Sequence, residues 1–390
     1  MRIFLSSQQS LKRHPVPTYG FWETYFKGGI AEASHEWIEA ASLDWAEGLL
    51  YLDKSELKPW LERTWQKAVE TIKREHHVRP ISLFLSYLFP HQIDPSAIKE
   101  IRAMGIPCVN FFCDTVREYR KIPPAYQAFD LHWVPEYKAL ALYAQAKLST
   151  LHAPMPVWVP PERRRWEHPE KYGVTFLGSH DDQRAALLAQ VLRAGVDIEI
   201  RGPGWIPEKS RVGPASAKNR GLVRLLADQW TFVKRQGGLA WLRKIAAKFR
   251  PAFPEAFFVS HVHPSLEPRF YQDVLQQSRI SVGINRYPSF HHPFSRPDTY
   301  SRLRDIEAPM VGACYLTEWT EGLDQLYDLG NEIETYRTAE EMVEKIRKLE
   351  SDPPKRRAMR RQAQQRALTE HSIAKSLDRM VDALGLGRRG

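Results

Sequence analysis

Short apolar runs of strand length alternate with helix-like segments twice along this sequence, and this alternation restricts the fold more than any other feature. Continuous apolar runs are typical of strands that are buried on both faces, and such strands form parallel sheets covered by helices. In the first half, the predicted strands are 2–6, 81–88, 107–112 and 131–135, and the predicted helices are 55–75, 94–104 and 136–146.

The second half repeats this pattern after a proline-rich stretch at 153–161, which suits a crossing between domains. Its predicted strands are 173–177, 196–200, 280–285 and 313–317, and its predicted helices are 183–194, 267–278, 301–311, 338–349 and 355–384. A length of 390 residues also favours two domains. We therefore predict an α/β fold with two Rossmann-like, doubly wound domains facing a cleft. The predicted domains are 1–165 and 166–365, and a C-terminal helix within 366–390 is predicted to cross back to the first domain.

The composition is that of a globular protein, with 43% hydrophobic and 26% charged residues. No apolar run has the length of a membrane span, and the apolar run after Met1 is too short for a signal peptide. We expect a cytoplasmic protein. Its three cysteines, Cys108, Cys113 and Cys314, lie in or beside apolar runs and are expected to be buried free thiols rather than metal ligands.

The excess positive charge is confined to one segment. Between Lys209 and Arg250 there are eleven Lys and Arg residues against the single acid Asp228, which equals the net charge of +10 for the whole chain. We predict a basic helical insertion in the second domain, at 209–255, with two amphipathic helices around Gln236-Gly-Gly238. Through residues 213–250 it could contact an anionic membrane surface at the inner face of the cytoplasmic membrane. The alternatives are packing against its own domain and, less favoured, nucleic acid binding.

The stretch Thr299 to Thr317 reads as a polar loop, a helix, a glycine and an apolar strand. In a doubly wound sheet, a loop that leaves a strand's carboxyl end and opens a helix is a site for phosphate groups, because the helix N-terminus favours anions. Glu307 lies two turns into the predicted helix, where its carboxylate could bind the two hydroxyls of a ribose.

These residues resemble a known family. Arg304-Asp-Ile-Glu307 followed by Gly312 is similar to the signature of CgeB-like (spore maturation) glycosyltransferases, which belong to the GT-B class. The resemblance extends to 172–179 with Arg184, to 200–205 and to 330–336, and more loosely to 111–115. Two departures are Ile306, in place of phenylalanine, and Pro309, which removes a backbone donor inside the helix.

The resemblance implies transfer of a sugar from a nucleotide-sugar donor to an unidentified acceptor, such as an envelope glycan, a lipid or a protein. Glu307 would hold the donor ribose. Helix N-termini and arginines would stabilise the leaving diphosphate, so that neither a metal nor another cofactor is expected. The predicted donor-binding residues are Glu307, Arg304, Ser301, Arg184, Gly178, Ser179, Gly202 and Gly204.

An inverting reaction also needs a base to deprotonate the acceptor. Asp114, just beyond a predicted strand, and His14, after the first strand, are the candidates. A retaining reaction needs no protein base, and the sequence leaves both open. Two other functions remain: a non-catalytic protein that binds a nucleotide sugar or glycan, and a glucosyltransferase that modifies nucleic acid.

Overall fold

A computed structural model of the chain describes residues 1–10, 12, 19–50, 54–205, 229–230, 233, 241–242, 245, 257–264, 266–287 and 298–386. These residues form two compact units. The first contains residues 1–116, 121–160 and 369–390, and the second contains 117–120 and 161–368.

The first unit is built on a six-stranded sheet with the order β2-β1-β3-β4-β5-β6, in which every pairing is parallel. Strands β3, β4 and β5 are buried along their whole length, as the apolar runs predict. The strands are β1 (Arg2–Ser6), β2 (Glu36–Ile38), β3 (Leu83–Ser86), β4 (Cys108–Phe111), β5 (Leu131–Val134) and β6 (Thr150–His152). The helices up to residue 160 are α1 (Tyr19–Glu32), α2 (Lys54–Val78), α3 (Pro95–Ala103), α4 (Thr115–Glu118) and α5 (Leu140–Gln145).

The second unit is built on another parallel six-stranded sheet, with the order β9-β8-β7-β10-β11-β12. Counted from its own first strand, this is the order 3-2-1-4-5-6 of a doubly wound Rossmann sheet. The strands are β7 (Tyr172–Leu177), β8 (Ile198–Arg201), β9 (Val262–His263), β10 (Ser278–Gly283), β11 (Tyr315–Glu318) and β12 (Glu334–Tyr336). The helices are α6 (Asp182–Arg193), α7 (Pro268–Gln277), α8 (Arg304–Val311), α9 (Leu323–Leu326), α10 (Ala339–Ser351) and α11 (Pro353–Glu370).

One predicted helix is wrong, because the segment 355–384 contains two helices. Helix α11 ends at Glu370 and α12 (Ile373–Leu384) begins after Ser372, whose hydroxyl accepts a hydrogen bond from the Lys375 amide at 3.2 Å. This serine cap satisfies an amide that a continuous helix would bond internally, so the chain can change direction here. Residues from 369 onward, including α12, belong to the first unit, where α12 contacts α1 and β6.

The sequence analysis missed α1, which has a broad mixture of residues. It also missed the four edge strands β2, β6, β9 and β12, which are two or three residues long, and the four-residue helices α4 and α9. Most of the predicted basic insertion lies outside the described residues. Its described positions include Trp230 and Leu242, whose side chains are 62% and 57% exposed. The three cysteines are free and buried, as predicted. No helix in the described part of the chain is long and apolar enough to cross a membrane.

Candidate functional site

The order of the second sheet identifies one edge as the place for a ligand. Strand β7 lies between β8 and β10, so the chain winds in opposite directions from this point. In open parallel sheets, ligands bind outside the carboxyl ends of the strands where the winding reverses. This switch point lies beyond Leu177, at the end of β7, and Gly283, at the end of β10.

Helix α8 places Glu307 beside this switch point. The helix begins at Arg304, not at 301, so Glu307 lies in its first turn rather than two turns inside it. Its side chain is 1% exposed, and Gln272 Nε2 on α7 donates a hydrogen bond to its Oε1 at 3.2 Å. Pro309 lies inside this eight-residue helix, where its missing amide leaves one helical hydrogen bond unmade.

Three arginines converge at the same edge. Arg304 donates a hydrogen bond to the carbonyl of Leu177 at the end of β7. Arg184, on the first turn of α6, donates from Nη1 to the carbonyl and the hydroxyl of Ser179, at 2.9 and 3.1 Å. Burial, and then the nearby charges of Arg302 and Arg304, lower the pKa of Arg184 to about 10. Like charges held this close repel each other, and an anion between them would relieve the repulsion.

Arg302 is the member of this group that the sequence analysis missed. Its guanidinium donates to the backbone carbonyl of Arg286 and lies over the ring of Tyr300, with 4.5 Å between the Cζ atom and the ring centroid. Only one residue separates Arg302 from the predicted Arg304, so the alternating basic residues of the loop were the available signal.

Ser301 has a different role from the predicted donor contact, since its hydroxyl donates to Asp305 Oδ2 at 3.1 Å. Asp305 is completely buried, and it accepts five further hydrogen bonds that fix the start of α8 to the ends of β10 and β11. The other donors are the amide of Arg302 (2.8 Å), Asn285 Nδ2 to both oxygens (3.2 and 3.3 Å), the Tyr315 hydroxyl (2.9 Å) and the Thr317 hydroxyl (3.1 Å).

A buried ion pair closes the same edge of the sheet. Arg286 Nε donates to Glu318 Oε1 at 2.8 Å, and Arg286 Nη1 donates to the carbonyl of Gln183 at 3.1 Å. Burial raises the pKa of Glu318, while the charge of Arg286 opposes this shift. Because Arg286 neutralises a buried carboxylate, its charge is less available to a ligand than those of the three converging arginines.

The predicted glycines pack two loops against each other. A Cβ on Gly202, whose φ is +149°, would lie 2.2 Å from the carbonyl oxygen of Gly178. A Cβ on Gly178 would lie 2.7 Å from Phe176 Cζ, and one on Gly204 (φ +83°) would lie 3.2 Å from His180 Cβ. The close approaches at Gly202 and Gly204 lie between the loops after β7 and β8, whereas Gly178 leaves room for the ring of Phe176 in β7. These approaches are sufficient to explain all three glycines.

Gly312 has an equally local explanation. It ends α8 in the left-handed conformation (φ +81°), and a Cβ there would lie 2.5 Å from Cα of Trp166. The segment around Trp166 is fixed by Gln276, whose Nε2 donates to the carbonyls of Arg163, Arg165 and Val311 at 2.8, 2.9 and 2.7 Å. Gly312 therefore permits the segment around Trp166 to cross the end of the helix that carries Glu307.

In the first unit, Asp114 lies beyond β4 and directly before α4, with an intermediate exposure. The amide of the next residue, Thr115, donates to the buried Glu136 at 2.6 Å, a contact that the sequence did not indicate. The other candidate base, His14, lies outside the described residues. No group of three or more His, Cys, Asp or Glu side chains with the geometry of a metal site occurs among the residues that the structure covers.

Comparison with solved structures identifies the fold. The chain is similar to a sucrose-phosphate synthase from Thermosynechococcus elongatus (12% identity, 99% of each chain covered, TM-score 0.54). It is similar to a glycosyltransferase from Rickettsia africae (9% identity, 100% of this chain and 99% of that one, TM-score 0.55). It is also similar to the Anabaena protein HepE in complex with UDP (10% identity, 99% of each chain, TM-score 0.51). These similarities confirm the predicted two-domain α/β fold of the GT-B class.

A search of curated protein sequences finds no significant match. The family described as "Glycosyl transferase-like" matches residues 183–382, which include Arg184 and all but the first residue of α6, α8 with Glu307 and all strands of the second sheet after β7. This match covers just over half of the chain, and the chain therefore belongs to the glycosyl transferase-like family.

Proposed function

We propose that the second unit binds a nucleoside-diphosphate sugar at the carboxyl edge of its sheet and that the protein transfers the sugar to an acceptor. The observation that carries this proposal is the convergence of Arg184, Arg302 and Arg304 beside the buried carboxylate of Glu307 at the switch point of the sheet. Clustered guanidinium groups suit a diphosphate, and a carboxylate suits the paired hydroxyls of a ribose.

The chemistry of sugar transfer gives these arginines their role. When the bond between the sugar and the diphosphate breaks, negative charge accumulates on the leaving diphosphate. Fixed positive groups that already point at this position stabilise the transition state without reorganisation. Arg184 and Arg304 are anchored to carbonyls of Ser179 and Leu177 and are therefore preorganised. With three arginines in place, we propose that transfer does not require a metal ion, so that added EDTA leaves the rate unchanged.

The donor we propose is a uridine diphosphate sugar. The Anabaena protein HepE, which shares this fold, has been solved with UDP and with UDP and glucose. Within the family, the motif from Arg304 to Gly312 supports assignment to the CgeB-like glycosyltransferases. Asp114 is the proposed base for an inverting reaction, because it follows a buried strand of the first sheet.

A thermal-shift panel with UDP, GDP, ADP and UDP-glucose tests the donor site. We expect UDP to raise the melting temperature and Glu307→Gln to weaken UDP binding about ten- to a hundredfold, because hydrogen bonds to a charged group contribute about 1.5–3 kcal/mol. Asp324→Asn, on an exposed helix position of the same unit, is the matched control. If no diphosphate stabilises the wild-type protein, the donor site does not exist. Binding of UDP-glucose without its hydrolysis or transfer would indicate a non-catalytic binding protein.

We also propose that the basic segment between Lys209 and Arg250 docks the protein on the anionic inner face of the cytoplasmic membrane. Its sequence carries the entire net charge of the chain, and Trp230 and Leu242 expose large apolar side chains within it. Aromatic and aliphatic side chains among basic residues are typical of proteins that bind anionic bilayer surfaces, and each basic residue near such a surface contributes about 1 kcal/mol.

Vesicle co-sedimentation tests this docking. We expect binding to phosphatidylglycerol vesicles, none to phosphatidylcholine vesicles, and loss of binding on deletion of 213–250. Trp230→Ala with Leu242→Ala should weaken binding, whereas Val78→Ala, at a 77% exposed apolar residue elsewhere, should not. Equal sedimentation of the wild type and the deletion variant would contradict the proposal. Steeply salt-dependent binding to duplex DNA instead would favour nucleic acid as the partner.

A further inference from the structure

The two motif residues Arg304 and Glu307 share a neighbour that the motif does not include. They are three residues apart on α8 and so lie on the same face of that helix. Helix α7 packs against α8 and presents Tyr271 to this face. Arg304 and Glu307 both lie close enough to the phenol of Tyr271 for their charges to act on it. Its ring also lies under the guanidinium of Arg304, with 4.8 Å between the Cζ atom and the ring centroid.

The next residue of α7 contacts the same carboxylate. Gln272 donates to Glu307 at 3.2 Å, and the phenol of the preceding residue, Tyr271, lies near the same acid. A glutamate side chain has three rotatable bonds, and holding it in one orientation costs conformational entropy. When neighbouring groups already hold it, the ligand does not have to supply that free energy on binding.

From these contacts we infer that Tyr271 is a positioning residue, which orients the Glu307 carboxylate toward the donor ribose and the Arg304 guanidinium toward the diphosphate. The inference rests on the proposed donor site. The phenol is suited to this role because burial raises its pKa, so that it stays protonated at neutral pH and is able to donate a hydrogen bond to a carboxylate. The aromatic ring supports Arg304 through a cation–π contact that a phenylalanine would retain.

The difference in affinity between UDP and 2′-deoxy-UDP reports whether the Glu307 carboxylate is oriented toward the ribose hydroxyl. In the wild type, we expect UDP to bind at least about tenfold more tightly than 2′-deoxy-UDP, because a hydroxyl that hydrogen-bonds a buried carboxylate has no substitute in the deoxy ligand. Tyr271→Phe removes only the phenol oxygen. It should reduce the ratio of the UDP affinity to the 2′-deoxy-UDP affinity to about threefold or less. The affinity for 2′-deoxy-UDP should change less than the affinity for UDP.

A simple loss of stability would weaken both ligands alike and leave their ratio unchanged. Tyr172→Phe is the matched control, because Tyr172 lies at the amino end of β7, opposite to the switch point, and should retain the wild-type ratio. Gln272→Leu should lower the ratio in part, and the double variant with Tyr271→Phe should match Glu307→Gln.

Calorimetric titration with the two ligands distinguishes the outcomes. If wild type and Tyr271→Phe show the same discrimination between UDP and 2′-deoxy-UDP, the positioning role is wrong and the donor site stands. If the wild type binds UDP but does not discriminate between the two ligands, then the ribose contact of Glu307 and the positioning role of Tyr271 are both wrong. If the wild type binds neither ligand, the proposed function fails together with the inference.

Discussion

Replacing Gly312 with alanine should destabilise the second unit by an amount that the structure divides into two parts. The first is backbone strain, since φ is +81° and a residue with a Cβ in this region costs about 1–2 kcal/mol. The second is a clash, because the new Cβ would lie 2.5 Å from Cα and 2.8 Å from the amide nitrogen of Trp166. Gln276 donates hydrogen bonds to the carbonyls of Arg163 and Arg165 in the segment around Trp166, so this segment cannot move away freely. Overpacking of this kind costs about 1–3 kcal/mol.

Gly195→Ala separates the two parts. Gly195 follows α6 in the same unit with nearly the same φ, +82°, but nothing lies within 4 Å of its added Cβ. Gly195→Ala should therefore lower the free energy of unfolding only by the backbone strain, about 1–2 kcal/mol. Gly312→Ala should lower it by about 2–5 kcal/mol in total. For a unit of this size, each kcal/mol corresponds to about 2–4 °C in the melting temperature.

Urea unfolding and thermal scans of the wild type and both variants measure this difference. The m-values should stay equal, so that midpoints can be compared directly. Gly312→Ala should also weaken UDP binding, because the displaced helix carries Arg304 and Glu307. Equal destabilisation by the two substitutions would show that the contact with Trp166 does not explain the glycine of the motif.

Three further predictions concern the buried network, pH and the candidate base. Asp305→Asn should cost about 3 kcal/mol in urea unfolding, because the new amide donor would face the hydroxyl and amide donors that now point at the carboxylate; an unchanged midpoint would contradict this. Although burial alone would raise it, hydrogen bonds and charges of Arg356 and Arg360 lower the pKa of Glu170, so its stabilisation is present at neutral pH and is lost as the pH falls through this lowered value. The free energy of unfolding, measured from pH 7 downward, should therefore decline below about pH 4.5, and Glu170→Gln should reduce this decline. Parallel pH profiles of the wild type and Glu170→Gln would refute the role of Glu170 and its two arginines. Asp114→Asn should lower kcat at least about a hundredfold without changing the affinity for UDP if the reaction inverts configuration, and full activity would remove Asp114 as the base.

The sequence predicted the parts of the fold that depend on hydrophobic periodicity. The buried strands, the two parallel sheets and most helices follow from runs such as 81–88 and 173–177, although the ends of the elements shifted by a few residues. The alternation could not reveal the short edge strands β2, β6, β9 and β12, because two or three residues do not establish a period. The break between α11 and α12 depends on the Ser372 cap, which the helical composition of 355–384 obscured.

The sequence indicated only part of the candidate site. Arg184, Arg304 and Glu307 lie where a donor site was expected, but Tyr271, Gln272 and Arg302 were missed. Tyr271 and Gln272 lie on a different helix, more than thirty residues earlier in the chain, and only the folded structure brings them to Glu307. Ser301 and Gly202 were predicted as donor-binding residues, but contacts within the protein are sufficient to explain both.

A crystal structure of the protein with UDP tests the central claim most directly. We predict that the diphosphate lies within hydrogen-bonding distance of at least two of the guanidinium groups of Arg184, Arg302 and Arg304, and that a ribose hydroxyl donates to the carboxylate of Glu307. Density for UDP elsewhere on the chain, with these four side chains unchanged and without a ligand contact, would contradict the account.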